Sequence, residues 1–503
     1  MDVLTTVLVL GGALGLTLFL SAVLRRLFPR FTSGQVKPVV QSKDHEDLPS
    51  LRLPNVGGMA LIVTLWCLAG VWRLVWPETS ELLLTLTLLT TLFFAIGFSD
   101  DWLKWRHGTG FGDSAYLLAH AVAALVTVAA LFWWPGDFTQ ADFTQTATQG
   151  GRVLQALNVV GVVGLGLTLV WLFGLTLGSA FSVAVSDGID GLTAGMACIA
   201  GGGMLISLII READGELIAF AAALLGVSIG LLLFNQPSAW SSTGTVKRRA
   251  RIYLGDSGAL GLGGAFAALA LFSGADAIWL FVGGVFLLDG GSGFLQAKVV
   301  TPFFRHCVRL GRYIGTPHFV PHTEFPIPFT ATPLHHHFEM LGIGRLRVVW
   351  LLWTFSALAA VSGIVVAAFP TFHVAPVGGA LLLYTCLIGC AVWTTGRFLG
   401  IAKADDGSEV LAVCGGRPYI VFGRPLYRVV ELTQTPLPDV PDRQMFALWQ
   451  PSNRWDVLAN LAYAQALAGD QNAARETWLR IPEASRKLRA EHPVVAALSD
   501  SPQ

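Results

Sequence analysis

Eleven stretches, each about as long as a membrane-crossing helix and nearly free of charge, restrict this chain to a bundle that lives in a bilayer. A hydrocarbon core about 30 Å thick takes roughly 20 helical residues at about 1.5 Å rise each. Runs of that order lie near 3–24, 56–76, 81–99, 115–134, 156–180, 191–210, 217–234, 257–273, 276–297, 345–369 and 375–396. Only 13% of the 503 residues are charged, 53% are hydrophobic, and mean hydropathy is +0.60, too apolar for a soluble domain of this length. The expected architecture is an all-α integral membrane protein. Residues 1–370 form a core of about ten helices, 371–397 supply one extra transmembrane helix, and 398–503 form a small soluble tail. Met1-Asp2 precedes the first run without a positive segment, so that run reads as a retained span and not a cleaved signal. Formal net charge is zero, which excludes a global basic field for nucleic acid. The six cysteines are scattered without metal-ligand spacing.

Local charge sets the orientation. Arg25, Arg26, Arg30, Lys37, Lys43 and Arg52 separate the first two runs, Lys104 and Arg106 follow the third, and Lys247, Arg248, Arg249 and Arg251 follow the seventh. Lys298, Arg305, Arg309, Arg312 and Arg345 follow the ninth, and the intervening loops carry few Lys or Arg. Positive residues stay in the cytoplasm. The N-terminus is therefore expected outside and the tail inside.

Residues 331–341, Ala-Thr-Pro-Leu-His-His-His-Phe-Glu-Met-Leu, break the apolar pattern as a polar loop. Imidazole shares protons near neutral pH and imidazolium holds phosphate, which suits a phosphorylated substrate. Four acid-bearing segments map to the same cytoplasmic side. Asp100 and Asp101 close the third run, Asp187 and Asp190 open the sixth, and Asp256 opens the eighth. One such acid is ordinarily an interfacial loop residue, but together they predict a single assembled site.

Adjacent carboxylates at Asp100 and Asp101 repel unless a cation or proton intervenes, which favours a hard metal. Mg²⁺ suits oxygen ligands and bridges carboxylate to substrate phosphate. Asp187 and Asp190, three apart at a helix start, face the same way, and Lys104 offers a point charge to a phosphate. The chemistry these residues predict is phosphoryl transfer to a membrane-embedded acceptor.

The ordered set Gly97-Phe98-Ser99-Asp100-Asp101-Trp102-Leu103-Lys104, Asp187-Gly188-Ile189-Asp190-Gly191-Leu192, Gly255-Asp256-Ser257-Gly258 and Pro333-Leu334-His335-His336-His337-Phe338-Glu339 resembles the polyprenyl-phosphate N-acetylhexosamine-1-phosphate transferases. The last motif is similar to that of the phospho-N-acetylmuramoyl-pentapeptide-transferase (MraY) branch. The likeness runs from about residue 5 to 369. It implies transfer of phospho-MurNAc-pentapeptide from UDP-MurNAc-pentapeptide to undecaprenyl phosphate at the cytoplasmic face of a bacterial inner membrane, giving lipid I and UMP with Mg²⁺. Carried over by motif, Asp256 is the metal ligand and Asp100 and Asp101 handle the lipid phosphate, one of them as base or as nucleophile. Asp190 and Asn235 bind uridine, Tyr253 stacks on uracil, Asp187 and Lys104 shape the pyrophosphate region, and the histidines His335, His336 and His337 join the catalytic set. A homodimer and a protein partner for the tail are carried as further expectations.

The chain departs from that family at three places. A lysine expected before the second span is missing, with Arg52 nearby, and Phe181 and Ala184 stand where the family has two asparagines. Inserts lengthen the loops at 236–251 and 301–330, and the basic run Lys247–Arg251 is a candidate for anionic lipid. A sister reaction moving GlcNAc-1-phosphate is the nearest rival. A proton- or ion-coupled transporter is the remote one, and it would need charges near mid-span. In the tail, residues 454–482 resemble one tetratricopeptide hairpin, able to pack on the segment before it or to dock a partner. Residues 409–432 predict two short strands.

Overall fold

The computed structural model describes residues 1–32, 53–133, 162–237, 239–240, 246–247, 250–296, 314–315, 332–340, 343–369, 384–387, 397–403, 407–421, 424–436, 454–483, 486 and 492–499. Among these, nine helices are long and apolar enough to cross a membrane. They are α1 (Val3–Leu27), α2 (Gly57–Val75), α3 (Glu81–His107), α4 (Asp113–Trp133), α5 (Val162–Val185), α6 (Leu192–Ile210), α7 (Gly215–Phe234), α8 (Gly255–Phe272) and, further on, α12 (Arg345–Ala368). Between the last two lie a bent pair, α9 (Asp276–Val282) and α10 (Gly284–Phe294), and the short α11 (Leu334–Met340). The protein is a multi-pass, helical membrane protein, with ten crossings if the bent pair counts as one. These match the first ten runs in the sequence. Most of the eleventh run, the basic positions Arg52, Arg248 and Arg249, and most of both loop inserts lie outside the described residues.

The helices differ in how much lipid they meet. In α8, 89% of the apolar stretch is buried, against 17% in α1. The central place of α8 follows from its run of Gly and Ala, which lets neighbouring backbones come close. Gly263 lies against the backbone of Ala180 in α5, and Gly264 against the ring of Phe93 in α3, where a Cβ on either would collide. α3 ends at Gly108, whose φ of 78° closes the helix one residue beyond His107.

Where one straight span was expected near 276–297, the chain turns by 80° between α9 and α10. Gly283 and Gly284 supply the break, and the Tyr384 hydroxyl donates to the carbonyls of Leu280 and Phe281 (2.8 and 2.9 Å), the groups a broken helix leaves unpaired. The bend carries α10 past the C-terminal end of α5, where Gly290 lies against Ser182.

The tail is mixed α and β. Instead of two short strands over 409–432, three antiparallel strands form. β4 (Arg397–Lys403) and β6 (Arg424–Pro436) flank β5 (Glu409–Val421). Two-residue strands β1 (Ala239–Trp240) and β2 (Val246–Lys247) pair within the first insert, and β3 (Ile314–Gly315) of the second insert pairs with the far end of β5. The outer strands escape a sequence reading because a sheet covered on one face only in part shows weak alternation. The hairpin of α13 (Arg454–Leu467) and α14 (Gln471–Leu479) lays Val457, Leu461 and Ala464 on Phe398, Leu399, Leu411 and Val413, the first of the two expected packings. Its turn is Gly469 at φ 88° followed by Asp470, which caps α14 through the Ala473 amide (2.9 Å). α15 (Pro493–Ser499) completes the described tail.

Candidate active site

The last turns of α3 and the first turn of α8 build an acid cluster. Asp100 Oδ2 lies 2.5 Å from Lys104 Nζ, one turn further along α3, and the same ammonium donates to Asp256 on α8. The other Asp100 oxygen accepts from the Phe111 amide (2.6 Å), so the turn after α3 folds over this carboxylate. Asp101 points elsewhere, because successive helical residues diverge by about 100°. Its Oδ1 accepts from Asn55 Nδ2 (3.2 Å) and the Asp256 amide (3.2 Å), and its Oδ2 from the Ser257 amide (2.9 Å). Asp101 thus caps α8 from outside, placing a negative charge where a helix start leaves unpaired amides and a positive dipole end. The repulsion anticipated between adjacent acids is relieved by divergence, not by a shared cation. Lys104 lies between Asp100 and Asp256, instead of standing apart from the place a metal would take.

The histidine segment corrects a second expectation. It is not a solvated loop but the short helix α11, with His335 and His337 fully buried and His336 nearly so. What makes this burial tolerable is a chain of hydrogen bonds. Asp289 of α10 accepts from the His335 amide (2.9 Å) and lies 2.8 Å from His335 Nδ1. His335 Nε2 meets His336 Nε2 at 3.1 Å, His336 Nδ1 meets Glu339 at 2.8 Å, and Arg345 donates to the other Glu339 oxygen at 2.5 Å. Burial opposes ionisation of Glu339, yet the His336 hydrogen bond and the Arg345 charge outweigh it and hold the carboxyl down at about 2. Burial pushes His336 below its usual range, partly offset by Glu339, so His336 is neutral and donates from Nδ1 to that carboxylate. Its Nε2 must then accept from His335 Nε2, while the other ring nitrogen of His335 pairs with Asp289. His337 packs beside Phe338, ring centroids 5.7 Å apart.

Backbone contacts join the two clusters. Gly188 lies directly against His335 and His336, where a Cβ would strike the imidazole. Three residues on, the Gly191 amide donates to Asn235 Oδ1 (2.8 Å), and Asn235 Nδ2 donates to the Ile252 carbonyl (2.9 Å). Asn235 therefore spends its amide on holding the start of α6 to the strand-like segment before α8. Tyr253, half-buried, pairs with that segment's neighbour through the Pro54 carbonyl (3.0 Å). Asp187 and Asp190 are half-buried on the turn between α5 and α6. Gly263 sits opposite Ala180, so seven residues back along α8 and seven forward along α5, about 10 Å in each case, Asp256 and Asp187 reach one level. The acids, the lysine and the histidines thus gather at one end of the bundle.

Among the described residues no three His, Cys, Asp or Glu side chains form a ready-made metal cluster. The donor set still fits Mg²⁺, which is commonly held by one or two carboxylates with the remaining positions left to phosphates and water. Asp100 and Asp256 converge on a common cation, Lys104 Nζ, and two carboxylates on a single ammonium leave the cluster short of positive charge.

Sequence reasoning missed Asn55 and Asp289. Asn55 gave no signal, being a lone amide in a loop. Asp289 did, as an acid within an apolar helix flanked by Gly290 and Gly291.

An apolar bundle with carboxylates, an ammonium and imidazoles assembled at one end defines a membrane-embedded glycosyl-phosphotransferase, and comparison with known proteins agrees. The model of glycosyl transferase family 4 matches residues 83–274. The phospho-N-acetylmuramoyl-pentapeptide-transferase of Synechococcus sp. (strain RCC307) is 31% identical over 369 residues, covering 71% of this chain and 89% of its own. Those of Bacillus licheniformis (28% identical, 62% and 82%) and Clavibacter sepedonicus (28%, 70% and 96%) are similar to it as well. The chain belongs to the phospho-N-acetylmuramoyl-pentapeptide-transferase family of polyprenyl-phosphate sugar-phosphate transferases.

Proposed function

We propose that this enzyme transfers phospho-MurNAc-pentapeptide from UDP-MurNAc-pentapeptide to undecaprenyl phosphate, giving lipid I and UMP for peptidoglycan synthesis. The observation that carries this reading is the contact of Gly188 with His335 and His336, which sets the imidazoles beside the turn bearing Asp187 and Asp190, at the same level as Asp256 and Lys104. That gathering sits in a chain whose relatives bear this name. The positive-inside pattern puts this end, and the tail, on the cytoplasmic side of the bacterial inner membrane.

In this reading Asp256 and Asp100 hold Mg²⁺. The ion supplies charge neutralisation for the diphosphate and the leaving UMP. Lys104, displaced from between the acids as substrate enters, turns its ammonium to a phosphate oxygen. Asp101 fixes α8 so that Asp256 faces the site, and Asn235 fixes the turn that carries Asp190 toward the nucleotide. Tyr253 borders the uracil. Asp289 fixes His335 and, through it, His336, so that the histidine helix borders the sugar phosphate with a set shape. Catalysis is then chiefly positioning and charge stabilisation, as phosphoryl transfer requires.

Phe181 and Ala184 lack the amide donors of the family pocket, and this favours a second reading in which GlcNAc-1-phosphate is moved. UMP release by purified protein with undecaprenyl phosphate and each UDP-sugar separates the two. Release with UDP-MurNAc-pentapeptide and not with UDP-GlcNAc is expected, and the reverse preference would replace the first reading with the second.

A further inference from the structure

One polar face of α4 has no part in the chemistry above. Tyr116, His120, Ala123 and Thr127 recur at helical spacing and so share one face. Ala123 packs with Phe93, Ala180, Ala184, Ala259 and Leu260, and Tyr116 lies against the same group, so this face looks inward at α3, α5 and α8. The other face, with Leu117, Leu118, Val122 and Leu125, is exposed on the outside of the bundle. α4 is a wall between the bilayer and the acid cluster.

On the inward face His120 is fully buried. Its Nδ1 lies 2.6 Å from the Tyr116 carbonyl oxygen. A carbonyl only accepts, so Nδ1 carries the proton and Nε2 is left with a lone pair. That Nε2 is enclosed and meets no hydrogen-bond donor among the described residues. A buried acceptor without a donor is costly, and in native proteins such a group calls for a bound partner. The inward face looks toward α3 and α8, the helices that carry Asp100 and Asp256, so the missing donor belongs beside the acid cluster. The rings in between make the link: His120 stands edge-on to Tyr116 at 4.4 Å, and Tyr116 is 6.4 Å from Phe111, whose amide holds Asp100.

Which ligand brings a donor to this place follows from substrate chemistry. A UDP-sugar diphosphate has no phosphate hydroxyl near neutral pH, whereas a phosphate monoester, with a second pKa of about 6, retains one in part of the population. The lipid acceptor is such a monoester.

We propose that His120 Nε2 accepts a hydrogen bond from the phosphate hydroxyl of the lipid acceptor, turning another phosphate oxygen toward Asp256 and Lys104. His120 is then an acceptor-binding residue of the same site, and the inference rests on the transferase reading.

The test is steady-state kinetics of the full-length protein in detergent, varying undecaprenyl phosphate and the UDP-sugar separately, in the parent, His120→Phe and His120→Gln. Phe keeps a ring and loses the acceptor, and Gln restores an acceptor oxygen. The expected result is an acceptor KM raised about tenfold in His120→Phe, the loss of one hydrogen bond to a charged group, with donor KM unchanged and most of the loss recovered in His120→Gln. Equal changes in both KM values, an unchanged acceptor KM, or a Gln variant no better than Phe would overturn the proposal. His120→Leu repeats the removal without an aromatic ring, so misfolding of the Phe variant, read from its thermal unfolding, leaves the prediction standing on Leu against Gln. A parent that releases no UMP with any UDP-sugar would overturn the transferase reading itself, whereas an active parent with an indifferent His120 overturns only this inference.

Discussion

At the end of α3 two carboxylates share one ammonium, whereas around α11 each acid has its own imidazole or guanidinium partner. The two clusters meet the same difficulty, charge within an apolar bundle, with different degrees of completion. The histidine cluster is closed: Asp289, His335, His336, Glu339 and Arg345 satisfy one another and hold a fixed shape before any substrate arrives. The acid cluster is open, since Asp101 is satisfied by the start of α8 while Asp100 and Asp256 compete for Lys104. A closed network fixes the shape of the wall beside the sugar phosphate, and an open one is ready to take up further positive charge.

The contrast breaks most sharply at Asp256. Asp256→Ala should lower turnover by about a thousandfold, at any Mg²⁺ concentration, because it removes a carboxylate that would hold the ion beside the reacting phosphates. Full activity in a UMP-release assay would remove it from the site. In the closed network Asp289→Asn should cost about a hundredfold in rate with binding of undecaprenyl phosphate retained, since His335 loses the carboxylate that orients it. A rate equal to the parent's would show that the relay serves folding alone.

Asp100 and Asp101, adjacent in sequence, should separate in kind. Asp100→Asn should act on rate. Asp101→Asn should act on stability by about 1–3 kcal/mol, because an amide nitrogen would face the Ser257 amide, donor against donor. Thermal unfolding alongside turnover of both variants measures this. A smaller effect concerns pH. Glu339 is held at about 2, against 4.5 for the unfolded chain, so its contribution is complete above about pH 4.5 and declines as pH falls toward 2. Glu339→Gln should flatten the fall of the melting temperature over that range, and an unaltered slope would mean that the carboxylate is not held there. Least of all, removing residues 398–503 should leave turnover measurable, because the tail's apolar core is built from its own strands and helices and, among the described residues, only β3 joins it from the second insert. A well-folded but inactive truncation would tie β3 and the second insert to the chemistry.

The spans and the acids were legible because each needs only local pattern: an apolar run of fixed length, or a carboxylate where lipid ends. The unequal fates of Asp100 and Asp101 were not, since they depend on where the start of α8 lands against α3, a contact between residues 155 positions apart. The histidines read as a solvated loop because their acid partner, Asp289, lies 46 positions earlier on a helix whose bend the sequence showed only as two glycines. His120 passed unnoticed as a lone polar residue in an apolar run. The outer strands of the tail likewise emerge only from pairing with β5.

The claim that both clusters handle one donor is tested most directly by the dissociation constant of the UDP-sugar, measured on the folded parent, Asp256→Ala and His335→Ala. A shared site predicts weaker binding in both variants. An unchanged constant in either would place that cluster away from the nucleotide-sugar and contradict the account.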